Sequence, residues 1–85
     1  MTEQETATVL LVDDEDAIRS GLASALDRTG FRVLEARDGP EALKLVEAHG
    51  PDVIVLDILM PEMDGREVCR RLRAAENWTP VIMLT

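Results

Sequence analysis

Aromatic side chains are almost absent from this 85-residue chain, which has one Phe, one Trp and no Tyr. The core must therefore be built from Leu, Val, Ile and Ala, without the large buried areas that rings supply. Cysteine is reduced to Cys69. A lone thiol excludes an internal disulfide, and with no spaced Cys or His partners it excludes a zinc site. A reducing, cytoplasmic setting fits, and Cys69 reads as a small core hydrophobe. Basic charge is scarce too: 9 Lys and Arg stand against 17 Asp and Glu, for a net charge of −8. That excludes nucleic-acid or anionic-membrane binding through a basic surface by this segment, and it suits a cation. No apolar run approaches the roughly 20 residues that span a bilayer. The opening MTEQETAT lacks the basic start and apolar core of a signal peptide, so a soluble protein is expected.

What is present is a regular alternation. Residues 1–8 read as a flexible lead and 9–85 as one small domain. Val9 to Val12 form an aliphatic run ending at Asp13 and Asp14. An amphipathic helix is predicted next, with Asp16 as N-cap and Ile18, Leu22, Ala25 and Leu26 on its buried face. Gly30 is the expected left-handed stop. Phe31 to Ala36 read as a second strand. Asp38-Gly39-Pro40 opens a second helix, with Pro40 at the first helical position and Ala42, Leu43 and Val46 inward. Val53 to Asp57 form a third strand, a helix runs from Gly65 to about Ala75, and Val81 to Thr85 form a fourth strand.

The order βαβαβαβ implies parallel pairing with right-handed crossovers. The first, third and fourth runs are solidly aliphatic, as strands covered on both faces should be. The second carries Arg32 and Glu35 and belongs at an edge, which gives the strand order 2-1-3-4. In an open parallel sheet, ligands sit beyond the carboxyl ends of the strands where the winding reverses. Here the reversal falls between the first and third strands, whose carboxyl ends carry Asp13-Asp14 and Asp57, with Thr85 at the same edge. Like charges so close repel one another and recruit a cation. With only hard oxygen donors available, Mg²⁺ is the expected ion, with Mn²⁺ able to replace it.

The segments LLVDDEDAIR (10–19), ARDGPEAL (36–43), DVIVLDILMPEMDG (52–65) and the terminal VIMLT resemble the receiver domain of bacterial two-component response regulators. The D-x-x-M-P-x-M-D-G run is highly specific, and the similarity extends from Val9 to Thr85. It implies a flavodoxin-like doubly wound sheet. It also implies that Asp57 is the phosphoacceptor for a histidine kinase or phosphotransfer protein, and that the domain signals rather than turning over a substrate. Asp14 and Asp57 would ligate Mg²⁺ directly, Asp13 through water, and Leu59 by its backbone carbonyl. Thr85 would contact the phosphoryl oxygens, and phosphorylation would shift a conformational equilibrium.

The chain departs from that pattern by lacking the last strand, with its phosphate-pairing lysine, and two helices. Lys44, the only lysine, lies mid-helix beyond the second strand and does not substitute. The sequence reads as part of a longer regulator, the alternative being a truncated protein. Either way, residues 81–85 form an exposed apolar edge strand, for which self-association is expected. Leu59 is apolar and cannot orient an attacking water, so slow self-dephosphorylation is expected.

Two rival readings remain open. Asp14-Glu15-Asp16 gives the D-x-D of haloacid-dehalogenase-like phosphohydrolases, with Asp14 as nucleophile and Asp16 as general acid, although Ala17 stands where that family has Thr or Val. The other is a phosphorylation-independent interaction fragment. His49 reads as a solvated helix end. Arg66, Arg70, Arg71 and Arg73 read as a solvated helix face.

Overall fold

The structure is a computed structural model and describes residues 6–84; part of the predicted lead (residues 1–5) and Thr85 lie outside the described residues. Seven elements alternate: β1 (Thr8–Val12), α1 (Asp16–Arg28), β2 (Arg32–Ala36), α2 (Gly39–His49), β3 (Val53–Asp57), α3 (Gly65–Ala74) and β4 (Val81–Leu84). The four strands pair in parallel in the order β2-β1-β3-β4. This is the flavodoxin-like arrangement predicted from the strand pattern. The register sets Val12 beside both Ala36 and Leu56, so β1 and β3 end almost level and deliver their terminal aspartates to one edge.

β1 begins at Thr8, inside the predicted lead, because its N–H is held by Asp52 Oδ2 at 2.7 Å. Leu10, Val12, Ile54 and Leu56 are buried in one core with Ala36, Ala42, Val46, Met60, Val68 and Leu72 from the α2 and α3 side. Fully burying a side chain of this kind is worth about 1.5–3 kcal/mol. The central strands are therefore the most strongly fixed part of the molecule.

α1 packs against β1 and β2 on the other face of the sheet. Of the four apolar residues predicted to form its buried face, Leu26 is half-buried, while Ile18, Leu22 and Ala25 are exposed; Ala23 is its buried residue. Cover on both faces, which the aliphatic third run suggested, is also missing there, and β4 is exposed as expected of an apolar edge strand. Ile54 and Leu56 are buried, but Val53 and Val55 are half-buried, and Ile82 is 53% exposed. Among the described residues, no helix lies over β3 and β4 on the α1 side, and that leaves the outer flank of α1 open as well.

Aspartate caps start two of the three helices. α1 is flanked by Glu15, not Asp16, and no side chain caps it. Asp16 is instead the first helical residue and pairs with Arg19. α2 starts at Gly39, which puts Pro40 second; Asp38 Oδ1 accepts from the Glu41 N–H at 2.9 Å, and the Glu41 carboxylate accepts from the Arg37 N–H. α3 uses the same device, with Asp64 Oδ1 accepting from the Glu67 N–H at 3.0 Å. α1 ends in a Schellman turn, in which Phe31 N–H reaches the Leu26 carbonyl and Gly30 takes φ 99°. After α3, the Arg73 guanidinium donates to the Asn77 and Thr79 carbonyls and stacks 5.7 Å from the Trp78 ring centre. That corner is at the amino-terminal edge of the sheet, opposite the aspartates.

Candidate functional site

β1 and β3 end alike. At the end of β1, Asp13 Oδ1 accepts from the Glu15 N–H at 2.9 Å; at the end of β3, Asp57 Oδ1 accepts from the Leu59 N–H at 3.1 Å. Each aspartate folds back on the turn it starts, as short carboxylates do where a backbone ladder stops. Asp13 is buried, Asp57 half-buried and Asp14 exposed, and one carboxylate oxygen from each can be chosen so that all lie within 4.8 Å of one another. On a single octahedral Mg²⁺, two ligand oxygens lie about 3.0 Å apart when adjacent and about 4.2 Å when opposite, from metal–oxygen distances of about 2.1 Å. Three carboxylates that close can share one such cation. The all-oxygen donor set fits a hard divalent cation.

A pocket of about 440 Å³ opens over the cluster, lined by Asp13, Asp14, Asp57, Glu15, Ile18, Leu59 and Leu84. A fourth carboxylate and three apolar side chains thus border the acids. Leu59 is 77% exposed, and its backbone lies beside Asp57. Thr85 lies outside the described residues, but Leu84 before it reaches the pocket rim, and its carbonyl accepts from the Ile58 N–H. Asp16, the second acid of the D-x-D reading, stands outside the cluster and binds Arg19 at 2.7 Å.

Two supports escaped the sequence reading. Gly65 opens α3 against the end of β3: a Cβ there would lie 2.6 Å from the Asp57 carbonyl oxygen. The sequence marks Gly65 as the start of a helix, but not its contact with the Asp57 backbone. The second support is Arg19. Its side chain is 11% exposed, and it spans Asp16, Glu35 and the Asp13 carbonyl. The hydrogen bond that it donates to the Asp16 carboxylate raises its pKa above the ordinary arginine value, so it is a fixed cation.

A family profile described as response regulator receiver domain matches residues 9–85. The chain belongs to the response regulator receiver domain family. Among curated relatives, this receiver is 48% identical over 77 residues to the alkaline phosphatase synthesis transcriptional regulatory protein PhoP of Bacillus subtilis, covering 91% of this chain and 32% of that protein. It is 47% identical over 78 residues to the transcriptional regulatory protein AfsQ1 of Streptomyces coelicolor, covering 92% of this chain and 34% of that protein. The receiver thus spans about a third of the length of these relatives. Among solved structures, the chemotaxis protein CheY4 of Vibrio cholerae superposes with a TM-score of 0.88 at 37% identity, over 93% of this chain and 68% of that one. The N-terminal domain of a response regulator receiver protein from Methanoculleus marisnigri reaches 0.90 at 38% identity, over 95% and 68%. As a receiver domain the chain is a signalling domain, and among its described residues no helix is long and apolar enough to cross a membrane.

Proposed function

We propose that this receiver is phosphorylated on Asp57 by a histidine kinase or phosphotransfer protein in a Mg²⁺-dependent reaction and acts as a conformational signalling switch in the cytoplasm. The observation that carries the reading is the meeting of Asp13, Asp14 and Asp57 at adjacent strand ends, three oxygen donors within 4.8 Å in an open pocket.

In this reading Asp14 and Asp57 hold Mg²⁺ directly, Asp13 holds it through water, and the Leu59 carbonyl completes the protein's donors. When bound, the cation offsets the negative charge that an incoming phosphoryl group would otherwise meet. The remaining work falls to the chain. One Asp57 oxygen attacks the phosphorus of the donor's phosphohistidine; the P–O bond forms, the P–N bond breaks, and its electron pair stays with the imidazole. The Leu59 N–H on Asp57 Oδ1 fixes the carboxylate rotamer, which leaves the second oxygen free to attack. Thr85, following Leu84 at the pocket rim, hydrogen-bonds the phosphoryl oxygens. The added charge of roughly −1.5 to −2 then shifts the balance between two conformations.

Among the described residues β4 is an edge strand with Ile82 and Leu84 exposed, and the exposed Ile18 of α1 lines the same pocket as Leu84. Such an edge pairs with a second copy of itself, and self-association through residues 81–85 is part of the same proposal.

The test is labelling with acetyl phosphate and Mg²⁺. Wild type and Asp16→Asn should be labelled, and Asp57→Asn should not. Labelling that survives in Asp57→Asn but is lost in Asp16→Asn would transfer the chemistry to the phosphohydrolase reading. Mg²⁺ binding indifferent to Asp14→Ala would favour the interaction fragment.

A further inference from the structure

We infer that Arg19 is the positioning residue of the acidic site, fixing the peptide plane between Asp13 and Asp14 and thereby aiming both carboxylates. The inference rests on the reading that these carboxylates hold Mg²⁺, and it adds a residue outside the proposed ligand set.

The polar groups of Asp13 are held from three directions. Its N–H donates to the Ala36 carbonyl at 3.2 Å, its Oδ1 accepts from the Glu15 N–H at 2.9 Å, and its carbonyl accepts from Arg19 Nη1 at 2.8 Å. Two of these come from backbone and survive most substitutions. The third does not. Pairing of β1 with both neighbours ends at Val12, so the Asp13 carbonyl has passed beyond the strand ladder. Arg19 supplies the donor that the sheet no longer offers. The Asp13 carbonyl and the Asp14 N–H share one rigid plane, so holding that oxygen also sets the direction in which Asp14 leaves the strand.

The guanidinium is anchored from its far side. Nε donates to Glu35 on β2 at 3.1 Å and Nη2 to Asp16 in the first turn of α1 at 2.7 Å. Each nitrogen serves a different element, a task for the planar arginine fork and not for the single ammonium of lysine.

Two mechanisms predict opposite signs. If Arg19 acted only as a nearby positive charge, it would compete with the metal, and its removal would tighten Mg²⁺ binding. If it positions the carboxylates, its removal weakens binding. Partners that orient metal ligands are typically worth 10–100-fold in affinity.

The experiment titrates Mg²⁺ into the protein by isothermal calorimetry and records Tm in EDTA by circular dichroism. Arg19→Gln should weaken Mg²⁺ binding by about 10-fold, and Arg19→Lys should also weaken it although the charge is kept. Arg73→Gln, which loses carbonyl contacts at the opposite edge of the sheet, serves as the control for stability and should lower Tm with the Mg²⁺ affinity unchanged. Unchanged or tighter binding in Arg19→Gln overturns the inference, as does full affinity in Arg19→Lys. Should Arg19→Gln lose its helical signal, the Asp16→Asn/Glu35→Gln double variant frees the far side of the guanidinium. Weaker Mg²⁺ binding there supports the inference, and wild-type affinity overturns it. A wild-type protein that takes up no Mg²⁺ would overturn the underlying reading as well, whereas binding that responds to Asp14→Ala but not to Arg19→Gln overturns this inference alone.

Discussion

At the scale of single residues, Leu59 is the one whose chemistry is set by what it lacks. It is 77% exposed at the rim of the acidic pocket, two positions after Asp57, and its N–H is committed to the Asp57 carboxylate. Its side chain has no polar atom with which to hold a water against a phosphoryl group. Leu59→Asn should therefore shorten the lifetime of phosphorylated Asp57 several-fold, measured by phosphate release after the phosphodonor is removed. An unchanged lifetime would show that side-chain chemistry at position 59 does not limit hydrolysis. The three aspartates were legible in the sequence because they end two apolar runs, whereas Leu59 was named only through the family resemblance. Arg19 was not legible, because it acts on a backbone carbonyl, and carbonyls leave no mark in the order of side chains.

At the scale of elements, α3 is held to the site by a close approach. An added Cβ at Gly65 would press on the Asp57 carbonyl and the Ile58 backbone, which cannot step aside as a flexible side chain can. Gly65→Ala gains at most about 1 kcal/mol of helix propensity, against about 1–3 kcal/mol for overpacking. It should lower Tm and slow phosphorylation together. At Gly39 the three atoms nearest an added Cβ all belong to the flexible Met63 side chain, so for Gly39→Ala Tm should fall less and the phosphorylation rate should hold. The comparison is made by thermal melts and acetyl phosphate labelling of both variants.

α3 also carries a pH dependence. Hydrogen bonds from Arg71, then Arg70, hold the Glu67 carboxyl below the usual glutamate range. A pKa depressed by folding contributes stability above the unfolded value and loses it as pH falls through the folded one. The Tm difference between wild type and Glu67→Gln should thus be present at neutral pH and vanish in strong acid. It should be small, since these side chains face solvent. The start of α2 followed from the Asp38-Gly39-Pro40 run. The predicted Asp16 cap did not form, because Arg19 claims that carboxylate.

At the scale of the whole molecule, the strand order was legible because β2 alone mixes charge into its run. The exposure of β4 was expected from the family pattern and not from its own residues: VIML is as apolar as β1, and burial depends on what lies above it. Ile82, Leu84, Ile18 and Leu22 are exposed apolar side chains, the kind of surface that the proposed self-association would bury. Sedimentation at micromolar concentration should show species larger than a monomer, and Ile82→Lys should return the protein to monomer, as charge on an edge strand does. A wild-type protein that sediments only as a monomer would remove the self-association proposal without touching the phosphoacceptor reading.

The corner formed by Arg73 and Trp78 has a practical consequence. The single tryptophan rests under a guanidinium at the amino-terminal edge, while the acidic pocket opens at the carboxyl-terminal edge. Its emission should follow the melting of the α3–β4 junction and stay flat while the pocket fills. Tryptophan fluorescence thus gives each Mg²⁺ titration an internal reference: a variant whose signal holds while its binding heat disappears has lost a ligand site and not its fold.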